Sequence, residues 1–380
     1  MVTSLSLYVH IPWCVKKCPY CDFNSHALSA DGRLAPELAE TYVDQLITDL
    51  HADLGDFGLS PSLHSIFIGG GTPSLLPIES LDRLLGAINA AAPIEADAEI
   101  TLEANPNSAD QRRLRGYRLA GVNRLSLGVQ SFDDHSLKHL GRLHDGAEAK
   151  RAIDGARAAG FSNLNIDLMF GLPQQTLSMA LADLDQALGF SPEHLSWYQL
   201  TIEPNTVFFN RPPHQPSHDA LADISSAGIA ALEQSGLTRY EVSAFATPSR
   251  ECRHNLHYWQ FDDYLGIGAG AHGKVSDQET VWRTQKTRAP GDYLSAAKRQ
   301  TRKVSGHELV TEYLLNALRL RRGFALLHFE EKTGQSASQI LPALQRCEQL
   351  SLLTLKNEHV LLSDFGYDHL DSLLAELTED

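Results

Sequence analysis

The 380-residue sequence predicts an α/β fold in which a partial (β/α)6, TIM-like barrel precedes a smaller, mainly helical C-terminal domain. Over about the first 240 residues, short apolar runs alternate with amphipathic segments, which is the pattern of parallel β/α units. Six such runs favour an open or partial barrel, because a full TIM barrel needs eight strands. From about residue 305 the spacing of apolar residues becomes helical.

The predicted barrel strands cover residues 5–11, 65–68, 99–103, 124–129, 164–169 and 195–201. The predicted helices between them cover residues 37–54, 79–91, 110–119, 147–159 and 180–188. Residues 307–320 predict a helix and residues 352–355 and 359–362 a short β-pair, a combination that suggests a winged-helix-like module. We therefore divide the chain into a core barrel (1–240), a barrel-closing segment (241–304) and a C-terminal domain (305–380).

Polar and glycine residues follow the predicted strands at their carboxyl ends. Cys14 follows the first strand and a glycine run at 69–71 ends the second. Glu103, Gln130 and Asp167 lie at or near the ends of the third, fourth and fifth strands. Because functional groups of β/α barrels gather at the C-terminal face, we expect these side chains to meet at one mouth.

Three cysteines, Cys14, Cys18 and Cys21, are spaced C-x3-C-x2-C near the N-terminus. A disulfide framework pairs an even number of cysteines, and a zinc site usually shows two separated C-x2-C pairs or histidine partners. Three thiolates can bind a four-iron cluster and leave one iron open to a small molecule. The spacing therefore predicts a three-thiolate iron–sulfur site.

The composition is that of an ordinary globular protein, with 43% hydrophobic and 21% charged residues. The net charge of −15 argues against a nucleic-acid partner, which calls for a basic surface. No 18-residue apolar run predicts a membrane span, and the start of the sequence does not resemble a signal peptide. With only five cysteines, we expect a cytoplasmic protein.

The cysteine run, together with Tyr8-Val-His-Ile-Pro, Cys21-Asp-Phe and Gly69-Gly-Gly-Thr-Pro-Ser, resembles the radical S-adenosylmethionine (SAM) superfamily. Within it, the sequence is similar to the oxygen-independent coproporphyrinogen III oxidase family, and most of all to its HemW branch of heme chaperones. The resemblance implies a [4Fe-4S] cluster on the three cysteines, with SAM chelating the open iron. The SAM contacts that it implies are Tyr8, Tyr20, Gly70, Gly71, Thr72, Glu103, Gln130, Arg142 and Asp167.

These assignments have chemical reasons and simpler alternatives. Glycines let backbone approach a ligand, a carboxylate suits ribose hydroxyls, and Arg142 suits the methionine carboxylate of SAM. Alternatively, Glu103 and Asp167 cap the next helix, and Arg142 forms a surface ion pair. The Tyr20 ring is placed by the resemblance near the adenine, or it covers the cluster from water.

One position departs from the oxidases that this family contains. They carry a fourth cysteine two residues after the third, and here that position is Phe23. They also have a sizeable extension before the first strand, whereas the first strand starts here within a few residues. Both differences count against oxidative decarboxylation of a porphyrinogen, and we assign no catalytic residue.

His254-Asn-Leu-His-Tyr-Trp matches the H-N-x-x-Y-W motif that the resemblance associates with heme binding. An imidazole can ligate heme iron while aromatic rings pack on the macrocycle, so His254 is the predicted ligand and His257 the second candidate. A hydrogen-bonded structural histidine is the alternative. No C-x-x-C-H sequence predicts a thioether-linked heme.

The resemblance thus implies a heme chaperone that binds one heme per chain and transfers it to an unidentified acceptor protein. Peripheral contact with a membrane-bound acceptor stays open. The alternative is a radical SAM oxidase acting on coproporphyrinogen III or a related porphyrin-like substrate.

Overall fold

A computed structural model describes residues 4–28, 32–277 and 280–378. The outer limits of the predicted domains, residues 1 and 380, lie outside the described residues. The strands are β1 (Ser4–Ile11), β2 (Trp13–Cys14), β3 (His26–Ala27), β4 (Ser62–Gly70), β5 (Ile94–Ala104), β6 (Arg124–Gln130), β7 (Leu164–Phe170), β8 (His194–Gln199), β9 (Thr238–Arg239), β10 (Ala244–Ala246), β11 (Tyr264–Ile267), β12 (His272–Ser276), β13 (Val281–Lys286), β14 (Arg299–Val304), β15 (Phe324–Ala325), β16 (Leu353–Lys356) and β17 (His359–Leu362).

The α-helices are α1 (Pro36–Asp56), α2 (Ile78–Ala91), α3 (Gln111–Leu119), α4 (Asp134–His139), α5 (Gly146–Ala158), α6 (Leu177–Leu188), α7 (Val207–Asn210), α8 (His218–Gln234), α9 (Arg253–Trp259), α10 (Pro290–Ala296), α11 (His307–Ala317), α12 (Leu326–Thr333), α13 (Leu341–Gln349), α14 (Asp364–Asp368) and α15 (Leu370–Thr378). Short 3₁₀ turns cover Pro73–Leu75, Pro106–Ser108 and Ala337–Gln339. No described helix is both long and apolar enough to cross a membrane.

A twelve-stranded sheet within the described residues carries the fold, in the order β14-β13-β12-β11-β1-β4-β5-β6-β7-β8-β10-β9. Strands β1 and β4 to β8 are parallel neighbours and correspond to the six predicted strands, which are therefore confirmed. The five predicted helices between them are α1, α2, α3, α5 and α6. The sheet does not close, because β14 and β9 form its two edges.

Local sequence signals set where the barrel helices begin. Asp110 is the N-cap of α3 and accepts a hydrogen bond from the Arg113 amide, so this helix starts one residue later than predicted. A capping box starts α5, in which Asp145 and Glu148 each accept the backbone N–H of the other. One continuous apolar core then joins these helices to the parallel strands.

The sequence predicted a barrel-closing segment after residue 240 but none of the strands within it. Strand β11 pairs in parallel with the free side of β1, and β12, β13 and β14 continue the sheet as antiparallel neighbours. We name β11 to β14 the sheet extension. Its glycine run at 266–273 forms a tight turn, with Gly268 at φ +107° and Gly270 at φ +79°. The run therefore lets the chain reverse direction between β11 and β12.

Polar side chains, among them Lys286 and Asn24, fasten the sheet extension to the rest of the barrel. The buried Lys286 ammonium donates to Asp49 and, at 2.7 Å, to Asp53, both on α1. Asn24, which follows the cysteine run, donates to the carbonyls of Ala269 at 2.8 Å and Arg288 at 2.9 Å. The cysteine loop is therefore held directly against the turn between β11 and β12.

A second apolar core unites the C-terminal helices with the sheet extension. Val281 and Val304 pack in it together with Tyr313 and Phe329. The predicted pair at 352–355 and 359–362 is observed as β16 and β17, antiparallel, with β15 on the other side of β17. The predicted helix at 307–320 is α11, which ends three residues earlier. The division of the chain at residues 240 and 304 stays a prediction.

Candidate cofactor site

A cavity of about 510 Å³ opens at the C-terminal ends of the parallel strands. Eleven of the thirteen predicted cluster, SAM and heme residues line it: Cys14, Cys18, Tyr20, Cys21, Gly70, Gly71, Thr72, Glu103, Gln130, Arg142 and Asp167. Tyr8 and His254 are the two predicted residues that do not. The parallel arrangement thus brings together residues that are separated by about 150 positions in the sequence, as expected for such a face.

The three cysteines form one wall of this cavity. All three thiols are free and half-buried. The loop that carries them is held by backbone hydrogen bonds from Cys21 to Cys18 (3.2 Å), from His26 to Pro12 and from Leu28 to Cys14. Burial raises the pKa of the Cys14 and Cys21 thiols. Three free thiols on one accessible wall fit the ligand set of a cluster with one open iron.

Arg142 lies beside the cysteine wall. Its guanidinium donates to the Gly128 carbonyl at 2.6 Å and to the Asn105 side chain, and approaches the Cys18 sulfur at 3.7 Å. It makes no ion pair with a carboxylate of the described chain, which argues against the surface-pair alternative. Its buried Nε has no partner there. A fixed and uncompensated cation of this kind suits a ligand carboxylate or the negative charge of a cluster.

Asn105 is a site residue that the sequence reasoning missed. It accepts from Arg142 and donates to the Thr72 hydroxyl at 2.9 Å, so it links two predicted SAM contacts. It stands directly after β5, two residues beyond Glu103 and before Pro106. The signal that the sequence offered for Asn105 was its position as a polar residue at the end of a predicted strand.

Glu103 and Asp167 face the same cavity from neighbouring parts of the sheet. Burial, reinforced by Asp167, raises the pKa of Glu103 to about 8. Burial also raises the pKa of Asp167, although Asn165 and Ser126 donate to its carboxylate at 2.7 and 3.1 Å. In the described chain α3 is capped by Asp110 and α6 by Thr176, so neither carboxylate caps the following helix.

The glycine run ends β4 against the start of the cysteine loop. Gly70 has φ +112°, and a Cβ there would lie 2.6 Å from the His10 ring. The amides of Gly70, Gly71 and Thr72 donate to Glu103, Ile11 and Trp13 respectively. Because these amides are engaged, an amino group bound here would need backbone carbonyl oxygens as its acceptors.

Two tyrosines, Tyr20 and Tyr198, and Gln130 also line the cavity. Gln130 adopts φ +72°, and its side-chain oxygen accepts from the Tyr198 hydroxyl at 2.6 Å. The Tyr20 ring lies 6.4 Å from the buried Phe208 ring, which supports it from below. Phe23, at the position of the oxidases' fourth cysteine, also lines the cavity and is 60% exposed. Tyr198 was not predicted.

Tyr8 lies on β1, below the cavity. Its hydroxyl is 2.9 Å from His10 Nδ1, and its ring stacks on Phe67 at 6.4 Å. Burial and the negative charge of Glu103 raise its pKa. Contact between Tyr8 and SAM stays a prediction.

His254 lies deeper in the barrel, at the start of α9. It is fully buried, with Nδ1 2.9 Å from the Ser65 hydroxyl and Nε2 2.6 Å from the Tyr258 hydroxyl. Burial lowers its pKa well below the ordinary value, so the ring is neutral near pH 7. Ligation of heme iron by His254 stays a prediction, and it requires one of these two hydrogen bonds to break. The second candidate, His257, bonds the Asp263 carbonyl through Nε2 at 2.8 Å.

Comparison with known proteins relates this chain to a family. A family model described as the radical SAM superfamily matches residues 8–187, and one described as the HemN C-terminal domain matches residues 304–369. The chain is 46% identical to "Heme chaperone HemW" of Escherichia coli K12 over 372 residues, which is 97% of each chain. It is 46% identical to the protein of the same name from Haemophilus influenzae, over 99% of this chain and 98% of that one.

The chain belongs to the HemW family. A mouse relative of this HemW-family chain, radical S-adenosyl methionine domain-containing protein 1, is 35% identical over 99% of this chain and 87% of its own length. Among solved structures, coproporphyrinogen III oxidase (HemN) of Escherichia coli matches with a TM-score of 0.82 and 23% identity, over 99% of this chain and 90% of that one. This match confirms the predicted α/β fold of a radical SAM barrel with a C-terminal domain.

Proposed function

We propose that the protein is a heme chaperone that binds one heme per chain and delivers it to an acceptor protein. The observation that carries the proposal is the 46% identity, over 97% of both chains, to a protein named as a heme chaperone. The match extends over 372 residues, so it is not confined to one domain. The acceptor is unidentified, and we place the protein in the cytoplasm as the low cysteine content suggests.

The proposal includes a [4Fe-4S] cluster and SAM at the cavity. Cys14, Cys18 and Cys21 would hold three irons, and Arg142 is placed to offset negative charge beside Cys18. When bound, such a cluster offers its open iron to the amino and carboxylate groups of SAM and can supply an electron to it. The chain's own contribution is to orient SAM.

Each group around the cavity has a distinct part in that orientation. The carbonyls after β4 would accept from the SAM amino group, and the Arg142 guanidinium would bind the SAM carboxylate. Glu103 and Asp167 would accept from ribose hydroxyls, and Tyr20 would cover the adenine side. Because Arg142 is held by hydrogen bonds to Gly128 and Asn105, its guanidinium could position the SAM carboxylate without first moving.

A radical SAM oxidase acting on coproporphyrinogen III is the competing function, and the likeness to HemN supports it only at the level of the fold. The oxidase family carries a cysteine where this chain has Phe23, an exposed apolar side chain at the mouth of the cavity. A phenyl ring can bind neither iron nor a proton, so that position favours the chaperone over the oxidase.

An anaerobic hemin titration of the cluster-loaded protein, followed at the Soret band, tests the proposal. Saturation near one hemin per chain, with no consumption of coproporphyrinogen III under reducing conditions with SAM, is the expected result. Transfer is then measured by mixing the hemin-loaded protein with an apo-cytochrome b. Turnover of coproporphyrinogen III without specific hemin binding would replace the chaperone with the oxidase.

A further inference from the structure

The His254 ring stands in the middle of a hydrogen-bond chain that runs from the barrel strands to α9. Its Nδ1 lies 2.9 Å from the Ser65 hydroxyl, which in turn lies 2.7 Å from the Ser6 hydroxyl. Its Nε2 lies 2.6 Å from the Tyr258 hydroxyl, about one helical turn further along α9. Ser65 is not part of the H-N-x-x-Y-W motif, because it belongs to β4, 189 positions earlier in the sequence.

The two ends of this hydrogen-bond chain differ in burial. Ser6 and Ser65 are paired residues of the adjacent parallel strands β1 and β4, and both are fully buried. The Phe67 ring, also on β4, packs against the imidazole at 5.3 Å between ring centroids. Tyr258, in contrast, is only half-buried on α9. Of the two ring nitrogens, Nε2 is therefore the one on the side from which a ligand can approach.

A carboxylate on a further strand fixes the start of α9. The N-cap residue Cys252 makes no side-chain capping bond. Instead, the buried Glu99 on β5 accepts from the His254 amide at 3.2 Å and from the Cys252 thiol at 3.5 Å. Arg124 Nε lies 3.8 Å from the other oxygen of Glu99. Because Glu99 holds the backbone of His254 and Ser65 holds its ring, the barrel strands set the orientation of the imidazole.

The direction of the hydrogen-bond chain decides which ring nitrogen carries the proton. A neutral imidazole donates from one nitrogen and accepts at the other. A phenol is more acidic than an aliphatic hydroxyl and so is the stronger donor, and the contact between Tyr258 and Nε2 is the shortest of the three. Within the described chain the Tyr258 hydroxyl has no other hydrogen-bond partner, so the opposite direction would leave its proton unused. Donation from Tyr258 to Nε2 puts the ring proton on Nδ1, where Ser65 accepts it.

We propose that Ser65 is a positioning residue of the heme motif: it holds His254 as the Nδ1–H tautomer and so leaves Nε2 as the iron ligand, a position that the Tyr258 hydroxyl occupies in the heme-free chain. This inference rests on the proposed function, because it specifies how the motif would hold the heme of a chaperone. Histidines that bind metals commonly donate their other N–H to an acceptor, which fixes the ring and raises its basicity. Binding requires the Tyr258 hydroxyl to leave Nε2, and its return favours release, which a chaperone needs as much as binding.

Nitrogen-15 NMR of the heme-free, cluster-loaded protein with labelled histidine tests the tautomer. The His254 signals are identified by their loss in His254→Ala. The expected pattern is a protonated Nδ1 and an unprotonated Nε2 that accepts a hydrogen bond. A proton on Nε2 would overturn the proposal, and that result does not depend on whether the protein binds heme.

Hemin titrations of Ser65→Ala and Tyr258→Phe test the two roles separately. Ser65→Ala should weaken binding about tenfold and lower the iron–histidine stretching frequency in the resonance Raman spectrum of the reduced complex, while Ser65→Thr, which keeps the hydroxyl, should retain both. Tyr258→Phe should tighten binding about fivefold, because no hydrogen bond to Nε2 is lost on binding. Two controls should match the wild type: Ser80→Ala removes a buried hydroxyl on α2, and Tyr264→Phe removes a hydroxyl from the ring that packs on Tyr258.

Circular dichroism and iron content verify that each variant is folded and loaded with its cluster. A wild-type affinity and stretching frequency in Ser65→Ala, or weaker hemin binding by Tyr258→Phe, would overturn the proposed positioning. The proposed function would survive both of those results, whereas it fails if the wild type itself binds no hemin specifically.

Discussion

Replacing Glu103 by glutamine is expected to change how the stability of the cofactor-free protein depends on pH. The pKa of Glu103 is raised from 4.5 to about 8 by burial and by Asp167. Above pH 4.5 the carboxyl of the unfolded chain ionises, while the folded chain keeps its proton up to about pH 8. The unfolded state then binds fewer protons, so the free energy of unfolding falls as pH rises through this range. The glutamine variant lacks that loss.

The size of the effect follows from the difference between the two pKa values. One pKa unit corresponds to about 1.36 kcal/mol, so the interval from 4.5 to about 8 sets an upper limit of about 5 kcal/mol. Because the carboxyl faces a cavity rather than close-packed protein, we expect about 2–3 kcal/mol. Glutamine keeps an oxygen that can accept from the Gly70 amide, now 3.1 Å from the carboxylate. The substitution therefore removes the charge while leaving that contact in place.

Urea unfolding followed by tryptophan fluorescence, at pH 5 and at pH 9, measures this difference. Relative to the wild type, Glu103→Gln should gain about 2–3 kcal/mol in free energy of unfolding between the two pH values. The control is Glu233→Gln, a substitution at an exposed position of α8. Parallel pH profiles for the wild type and Glu103→Gln would refute the reasoning, because they would mean that the buried carboxyl costs nothing when it ionises.

Three further perturbations address the cluster, SAM and the barrel packing. Cys18→Ser should abolish the charge-transfer absorption of the reconstituted cluster and lower bound iron and sulfide; unchanged iron and sulfide would contradict the three-thiolate site. Arg142→Lys, which cannot reproduce the fork that bonds Gly128, should weaken SAM binding in equilibrium dialysis about tenfold, and equal affinity would remove Arg142 from the SAM site. Gly228→Ala places a Cβ 1.7 Å from the Trp197 ring and should lower the free energy of unfolding by about 1–3 kcal/mol. Gly86→Ala in α2 meets nothing within 4 Å and should instead be neutral or stabilise by up to about 1 kcal/mol, because alanine is the better helix former. A similar loss in both variants would therefore contradict overpacking against Trp197 as the cause.

The parallel barrel was predictable because its strands are buried on both faces and read as continuous apolar runs bounded by polar turns. The sheet extension was not, since its strands are short and one of them, β14, is almost entirely polar on its exposed face. Its pairing with β1 depends on a contact between Ser6 and Tyr264, which no local pattern encodes.

The candidate site was likewise predictable from the sequence only in part. Cysteine spacing, strand-end positions and the family resemblance together predicted which residues would gather, and eleven of them line one cavity. What spacing could not give is which hydrogen bonds each side chain makes. Asn105 was missed because a single asparagine after a strand is common, and the burial of His254 follows from the way α9 packs across the barrel on Phe67, at 5.3 Å between rings.

The place of β1 in the sheet has a consequence for how the chain folds during synthesis. One edge of β1 is covered by β4, which follows within the first 70 residues, but the other edge waits for β11 at Tyr264–Ile267. Until then a growing chain carries a barrel with an open edge of unpaired N–H and C=O groups, which invites pairing with other chains. A ribosome pause or a truncation before residue 264 would prolong that vulnerable interval, so nascent chains of this length are the ones for which protection against aggregation matters most.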